Sequence, residues 1–263
     1  MKPAFLIFGL ICAAVPLGGS ELAAGWTALT NYRAAQALKV FDPAITSADP
    51  AVAREARFGR GVALLDLQPV TPAQIEEARG LFAGLADSGA DDAAAGARFF
   101  LGRIAQHHQA KPDAAEAARQ FRQLIAEHEQ SVWAQTALSR LALLELYELN
   151  PAEPPAMRVA AAEKLLAHAH TPSAESQLHL AIANAIFYHR LPAGGALPHL
   201  LSAERLGRLD WIARGETLME IAELSRLAGE RAQAAKFYRL FLAENPRDLR
   251  HYIAKERLAE VEK

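Results

Sequence analysis

A branched apolar residue followed by alanine recurs at Val62-Ala63, Ile104-Ala105, Leu141-Ala142, Ile182-Ala183, Ile221-Ala222 and Leu258-Ala259, with the alanines 42, 37, 41, 39 and 37 residues apart. One such pair carries no information, but six at near-constant spacing define a unit of about forty residues. Periods of this size belong to chains in which each unit packs only on its neighbours, so length does not limit the core. An arginine stands just before three of the pairs, at Arg103, Arg140 and Arg257.

A second ladder is offset from the first. It sets an alanine, an apolar residue four later and another three after that, at Ala34/Leu38/Phe41, Ala78/Phe82/Leu85, Ala117/Phe121/Leu124 and Ala234/Tyr238/Phe241. Weaker members are Ala161/Leu165 and Ala196/Leu200/Ala203. Residues four and three apart share one helix face, so each unit is expected to hold two helices, A and B. Alanine on one helix leaves room for a large side chain on the next, and Ala105 and Ala222 are expected to receive such knobs. The apolar half of the chain is largely alanine and only 7% of residues are aromatic, which favours close-packed helices over a sheet sandwich. Proline or glycine interrupts the pattern at Asp49-Pro50, Thr71-Pro72, Lys111-Pro112, Asn150 to Pro155, Thr171-Pro172, Pro192 to Gly195 and Asn245-Pro246. The breaks around Pro154 and Gly194 are longer than a tight helix turn.

The best-formed unit runs through Leu218, Ile221, Ala222, Gly229-Glu230, Ala234, Tyr238 and Phe241 to Asn245-Pro246. It resembles a tetratricopeptide repeat (TPR), in which a small residue of helix A precedes an alanine of helix B by twelve positions, followed by an aromatic, an apolar residue and a proline. The unit of Leu101, Ile104, Ala105, Ala117, Phe121 and Leu124 keeps the same offset, with Glu129 at the proline position. The units after Ala63 and Ala142 carry extra residues at their turns, and the one around Ala196 has a short second helix. HEAT or armadillo arrays, with periods of about 40 to 47 residues, are the competing reading. The resemblance implies an all-α, right-handed superhelical solenoid of about five to six TPR-like helix-turn-helix repeats. The expected division is a signal peptide over 1–20, an N-terminal helix or partial repeat over 21–48, the repeat array over 49–246 and a capping helix over 247–263 with a polar outer side.

The first residues read as an address. Lys2 precedes an apolar run from Ala4 to Val15, closed by Pro16-Leu17-Gly18-Gly19-Ser20, which is the pattern of a secretory signal. The run is shorter than the roughly 20 residues of a membrane span. Export to the periplasm or cell exterior is the expectation, with an uncleaved N-terminal anchor as the alternative. Cys12 is the only cysteine and would leave with the signal, so no disulfide and no cysteine metal site is expected in the mature chain.

No catalytic motif was found: no HExxH, no phosphate loop and no G-x-S-x-G. No cofactor and no enzyme activity is expected. Nine histidines invite a metal reading, but His107 and His108 point about 100° apart on a helix, and they and His168/His170 read as surface or turn residues. Glu76-Glu77 and Asp91-Asp92 read as helix-start acids that favour the helix dipole. Trp26, Trp133 and Trp211 read as core filling in preference to exposed anchors. The 28 basic and 30 acidic residues are dispersed, which leaves no basic face for nucleic acid.

What remains is binding. The resemblance places helix A faces along a groove, and the repeat register assigns to it Phe99, Gln106 and Gln109, then Thr136, Ser139 and Leu143, then Glu216, Met219, Glu223 and Arg226. Polar positions with scattered apolar anchors suit a partner protein or peptide laid in that groove. No cluster of lysine and arginine favours an acidic C-terminal peptide. Exported TPR chains of this size serve outer-membrane protein assembly and cell-division coordination, so the likeness of architecture implies a scaffold or adaptor in the envelope. A permanent structural subunit is the alternative, and an enzyme with a site built on the loops near Pro154 and Gly194 is the remote one.

Overall fold

The computed structural model describes residues 22–263. The signal sequence expected over 1–20 lies outside the described residues. All regular structure among the described residues is helical.

The chain forms two compact units, the first ending at Ala137 and the second beginning at Leu138. The first holds α1 (Ala23–Thr30), α2 (Ala34–Ala44), α3 (Pro50–Asp66), α4 (Pro72–Asp87), α5 (Asp92–Arg103) and α6 (Ala114–His128). The helix α7 (Val132–Tyr147) contains the division. The second unit continues with α8 (Pro155–Lys164), α9 (Pro172–Tyr188), α10 (Leu197–Leu206), α11 (Trp211–Leu227), α12 (Arg231–Glu244) and α13 (His251–Val261). From α1 to α6, and again from α8 to α13, each helix packs on the next in sequence, and in the first unit α1 also touches α3 and α3 touches α5. This is the order of contacts that a helical repeat requires. The region expected to hold an N-terminal helix or partial repeat holds two helices, α1 and α2.

The breaks work as helix starts. Asp49 caps α3 by accepting from the Ala51 amide at 2.8 Å, and Pro50 fills the first helical position, where its missing N–H costs nothing. Thr71 and Gln74 form a reciprocal capping box on α4, again with proline next. Thr171 does the same duty for α9, and Asp210 for α11. Of the paired acids, Asp91 is a helix cap, accepting from the Ala94 amide at 2.9 Å, and it also takes a two-pronged contact from Arg54 of α3 at 2.6 and 2.9 Å. Glu76 and Glu77 lie inside α4, where Glu76 pairs with Arg79 and Glu77 with Arg60.

The core of the first unit is built from phenylalanine seated on glycine. A Cβ added to Gly102 of α5 would stand 2.5 Å from the Phe121 ring of α6, and one on Gly61 of α3 would stand 2.7 Å from Phe82 of α4. The Phe41 ring of α2 sits in the same way between Gly25 and Gly59. Gly25, Gly59, Gly61 and Gly102 are thus contact points, and the Phe members of the second ladder are the knobs. Around them Trp26, Phe58, Phe82, Phe99, Phe100 and Trp133 form a chain of edge and stacked ring contacts with centroids 5.1 to 5.9 Å apart. The second ladder is fully buried at Ala78, Phe82, Ala117, Phe121, Ala234, Tyr238 and Phe241, and at Ala196, Leu200 and Ala203.

Ala105 is buried, and the Phe121 ring is seated one turn earlier, on Gly102, ahead of a π-helical turn over Ile104–His108. One expectation of register needs correction: the Ala161/Leu165 rung is half-exposed and Val159 and Ala162 are buried instead, a shift of one residue in α8 just ahead of a 3-10 turn over Leu165–His168. Ala259 of α13 is exposed, unlike the alanines of the earlier pairs.

Candidate binding site

The site is built outward from α11. Its buried residues Leu218, Met219, Ile221, Ala222 and Ser225 are taken up by packing against α10 and α12. The remaining stripe is Ile212, Glu216, Glu220, Glu223 and Leu227, which follow one another by four, four, three and four positions and so share a face. Its two ends are apolar and open to solvent, Ile212 at 58% and Leu227 at 71% exposure. Trp211, which precedes Ile212, is 79% exposed, Leu249 in the turn before α13 is 99% exposed, and Tyr252 and Ile253 of the first turn of α13 are also exposed. Five of the eleven large apolar side chains exposed among the described residues therefore lie on α11 and α13, and Leu249 just before α13 is a sixth. The polar cover expected of the terminal helix is interrupted at its beginning by this apolar surface.

The charges on the stripe are unequal in their partners. Arg250 donates to Glu216 at 3.0 Å and grips Asp248 at 2.9 and 2.8 Å, holding the Asp248 carboxyl down to about 2. Glu223 accepts from Arg226 at 2.8 Å and from the Tyr238 hydroxyl of α12 at 2.6 Å. Burial, and then this hydrogen bond, push the Tyr238 phenol up. Glu220 has neither hydrogen bond nor ion pair among the described residues. Partial burial first, and then the Glu216 charge, push its carboxyl up to about 6 against the opposing pull of Arg250.

The residues expected to line a groove are divided by the structure. Phe99 and Met219 are core residues, 2% and 8% exposed, and cannot meet a partner from there. The reason is angular: a helix packed on two or three sides keeps a narrow open stripe, and one residue turns it by about 100°. Glu220 stands on the open side where Met219 does not. Gln106 is buried, with its Oε1 unpartnered. Gln109 borders a polar groove, described below. Thr136 turns its hydroxyl back to the Val132 carbonyl at 2.7 Å, Ser139 is half-buried and Leu143 is exposed. Glu216, Glu223 and Arg226 do come together on the α11 face, but Glu223 is engaged in holding Tyr238.

That polar groove, of about 700 Å³, lies in the first unit over Leu101, Ile104 and Ala105, between α4 and α6. Its walls carry ion pairs internal to each helix, Glu76 with Arg79 at 2.6 Å and Glu116 with Arg119 at 2.7 Å. Arg98 beneath it lies 3.0 Å from Glu127. The lining side chains are acids, bases, amides and aliphatics, without a hydroxyl or thiol to act as nucleophile.

In the second unit, two histidines that sequence reading did not single out meet between α9 and α10. His179 Nδ1 and His199 Nδ1 are 2.9 Å apart, His199 Nε2 faces Glu163 at 3.3 Å, and His179 Nε2 faces Glu175 at 3.8 Å. Arg205 approaches the same Glu175 at 3.9 Å. Burial first, and then the His199 charge, lower the basicity of His179. Twenty positions separate the two rings, so only the packing of α9 on α10 joins them. Among the described residues no group of three or more histidine, cysteine, aspartate and glutamate side chains is placed to hold a metal ion. No helix among them is long and apolar enough to cross a membrane.

The sequence matches no family model and no curated protein.

Proposed function

We propose that this chain is a non-catalytic scaffold of the tetratricopeptide type, exported to the cell envelope, that holds a partner protein through a segment laid on its helical faces. The observation that carries this reading is the α11 stripe with the start of α13. On α11 and in the turn before α13, Ile212, Leu227, Trp211 and Leu249 are left in water, with the stripe's carboxylates between the two ends. Exposed apolar side chains interspersed with charge mark a surface for association.

The tetratricopeptide assignment draws support from the last helix pair. Ala222 of α11 and Ala234 of α12 are fully buried at the twelve-residue offset, Tyr238 and Phe241 complete the rung, and Gly229 turns between the helices at φ +79°. A left-handed residue at a helix end favours glycine, which has no Cβ to clash. The envelope assignment rests on the signal pattern of the first twenty residues.

The test is an in-cell crosslink of the tagged protein, followed by fractionation and identification of what is attached. One stoichiometric envelope partner is the expected result. A cytoplasmic protein would remove the export reading, and one attached to nothing would remove the scaffold reading.

A further inference from the structure

We infer that the α11 stripe and the first turn of α13 bind an extended, basic segment of the partner, apolar at both ends. This rests on the scaffold reading above and goes beyond it in naming the chemistry of what is held.

The dimensions come first. Ile212 and Leu227 are fifteen residues apart on one helix, which at 1.5 Å per residue is about 22 Å. An extended chain covers that distance in about seven residues at roughly 3.3 Å each. A short peptide with an apolar side chain at each end therefore reaches both anchors, and Leu249 and Ile253 are exposed on either side of Arg250. The link between the two helices at that end is the Arg250 to Glu216 contact at 3.0 Å.

The charge decides the middle of the segment. Glu216, Glu220, Glu223 and Asp248 place four carboxylates on this surface, and Arg226 and Arg250 are the two cations that contact them. Arg257 lies near Glu223 but is engaged by Glu260 at 2.9 Å. The surface thus keeps an excess of negative charge, and Glu220, which feels Arg250 only at a distance, has no hydrogen bond or ion pair among the described residues. A lysine or arginine arriving there gains a pairing that the free protein lacks. A second copy of this chain is disfavoured as the occupant, because a two-fold contact through this face would set the same carboxylates against each other. The carboxylates are not placed to hold a metal ion either.

The experiment uses the full chain and three labelled seven-residue probes, read by fluorescence anisotropy. One probe has leucine at both ends with three lysines between, the second replaces the lysines by glutamates, and the third replaces the leucines by serines. The lysine probe is expected to bind at least tenfold more tightly than the glutamate probe and the serine-ended probe, and to weaken as salt rises. Glu220→Lys is expected to weaken it at least tenfold. Glu220→Gln separates binding from folding, because it should weaken the probe several-fold while the protein melts at an equal or higher temperature. Equal binding of the lysine and glutamate probes, or unchanged binding by Glu220→Lys, would overturn the inference. In cells, a partner that crosslinks equally to the parent and to Glu220→Lys would remove this inference and leave the scaffold reading standing. The absence of any crosslinked partner would remove both.

Discussion

The Tyr238 hydroxyl on α12 donates to Glu223 on α11 across 2.6 Å, and the same carboxylate accepts from Arg226 at 2.8 Å. A side chain that the repeat register places on a partner-facing surface is therefore also the acceptor for a fully buried tyrosine of the last helix pair. Removing it strands the phenol. Glu223→Ala is expected to lower stability by about 1 to 3 kcal/mol, the cost of leaving a buried donor unmet beside the loss of a charged hydrogen bond. Tyr238→Phe, which removes the donor and keeps the ring, is expected to cost about 1 kcal/mol. Urea unfolding measures both, and equal midpoints for Glu223→Ala and the parent would mean that the contact contributes nothing.

Glycine in these helices has two opposite roles. At Gly102 an added methyl would stand 2.5 Å from the Phe121 ring, whereas at Gly84 of α4 nothing lies within 4 Å. Gly102→Ala is expected to destabilise by about 1 to 3 kcal/mol through overpacking. Gly84→Ala is expected to stabilise by about 0.5 to 1 kcal/mol by restraining the unfolded backbone. Thermal melts of the two variants should move to opposite sides of the parent. Movement in the same direction would contradict the seating of Phe121 on α5.

The His179 and His199 pair should make the second unit sensitive to acid. At 2.9 Å one Nδ1 must donate and the other accept, so protonating both rings sets two N–H groups against each other. Glu163, Glu175 and Arg205 complete the charged surroundings, and the basicity of His179 is depressed in the fold. The unfolded chain then takes up protons that the folded chain refuses. Stability is full above the ordinary histidine value near 6.5, and falls as the pH drops below it toward the depressed folded value, by up to about 1.4 kcal/mol per pH unit for one proton. His179→Gln should flatten that slope in unfolding curves at pH 7.5, 6.5 and 5.5. A variant slope equal to the parent's would exclude the pair as its source.

Glu220 has the opposite sign. Its carboxyl is pushed up to about 6 in the fold from an ordinary value near 4.5, so the folded chain takes its proton first as the pH falls. Stability from this group rises between about pH 6 and 4.5, and above that range the buried anion costs on the order of 1 kcal/mol once solvent screening of a partly exposed site is allowed for. Glu220→Gln should therefore stabilise the protein at pH 8 and have no effect at pH 4. A stability difference that did not change with pH would show that the carboxylate is not strained.

The chain of alanines, the Ala-x-x-x-Phe-x-x-Leu rungs and the proline breaks determine that this protein is all helical and built of repeated pairs, because helix periodicity and capping are local properties that the sequence carries in full. The cores of the rungs at Phe82, Phe121 and Tyr238 were legible for that reason, as were the helix starts at Pro50, Pro72 and Pro172. The binding surface was legible only as a stretch of chain. Glu216, Glu223 and Arg226 pointed to α11, but Glu220, Ile212 and Leu227 emerged only when packing on α10 and α12 fixed which stripe stays open, and Met219 went inside by the same rotation. Trp211 reads like Trp26 and Trp133 in sequence, yet it begins its helix where no neighbour covers it and stands in water. His179 and His199 carry no pairing signal at a separation of twenty residues. Their meeting, like the seat of Phe121 on Gly102, depends on how far one helix is rotated and shifted against the next. That rotation is set by the sum of many side-chain contacts, and so only the tertiary structure decides it.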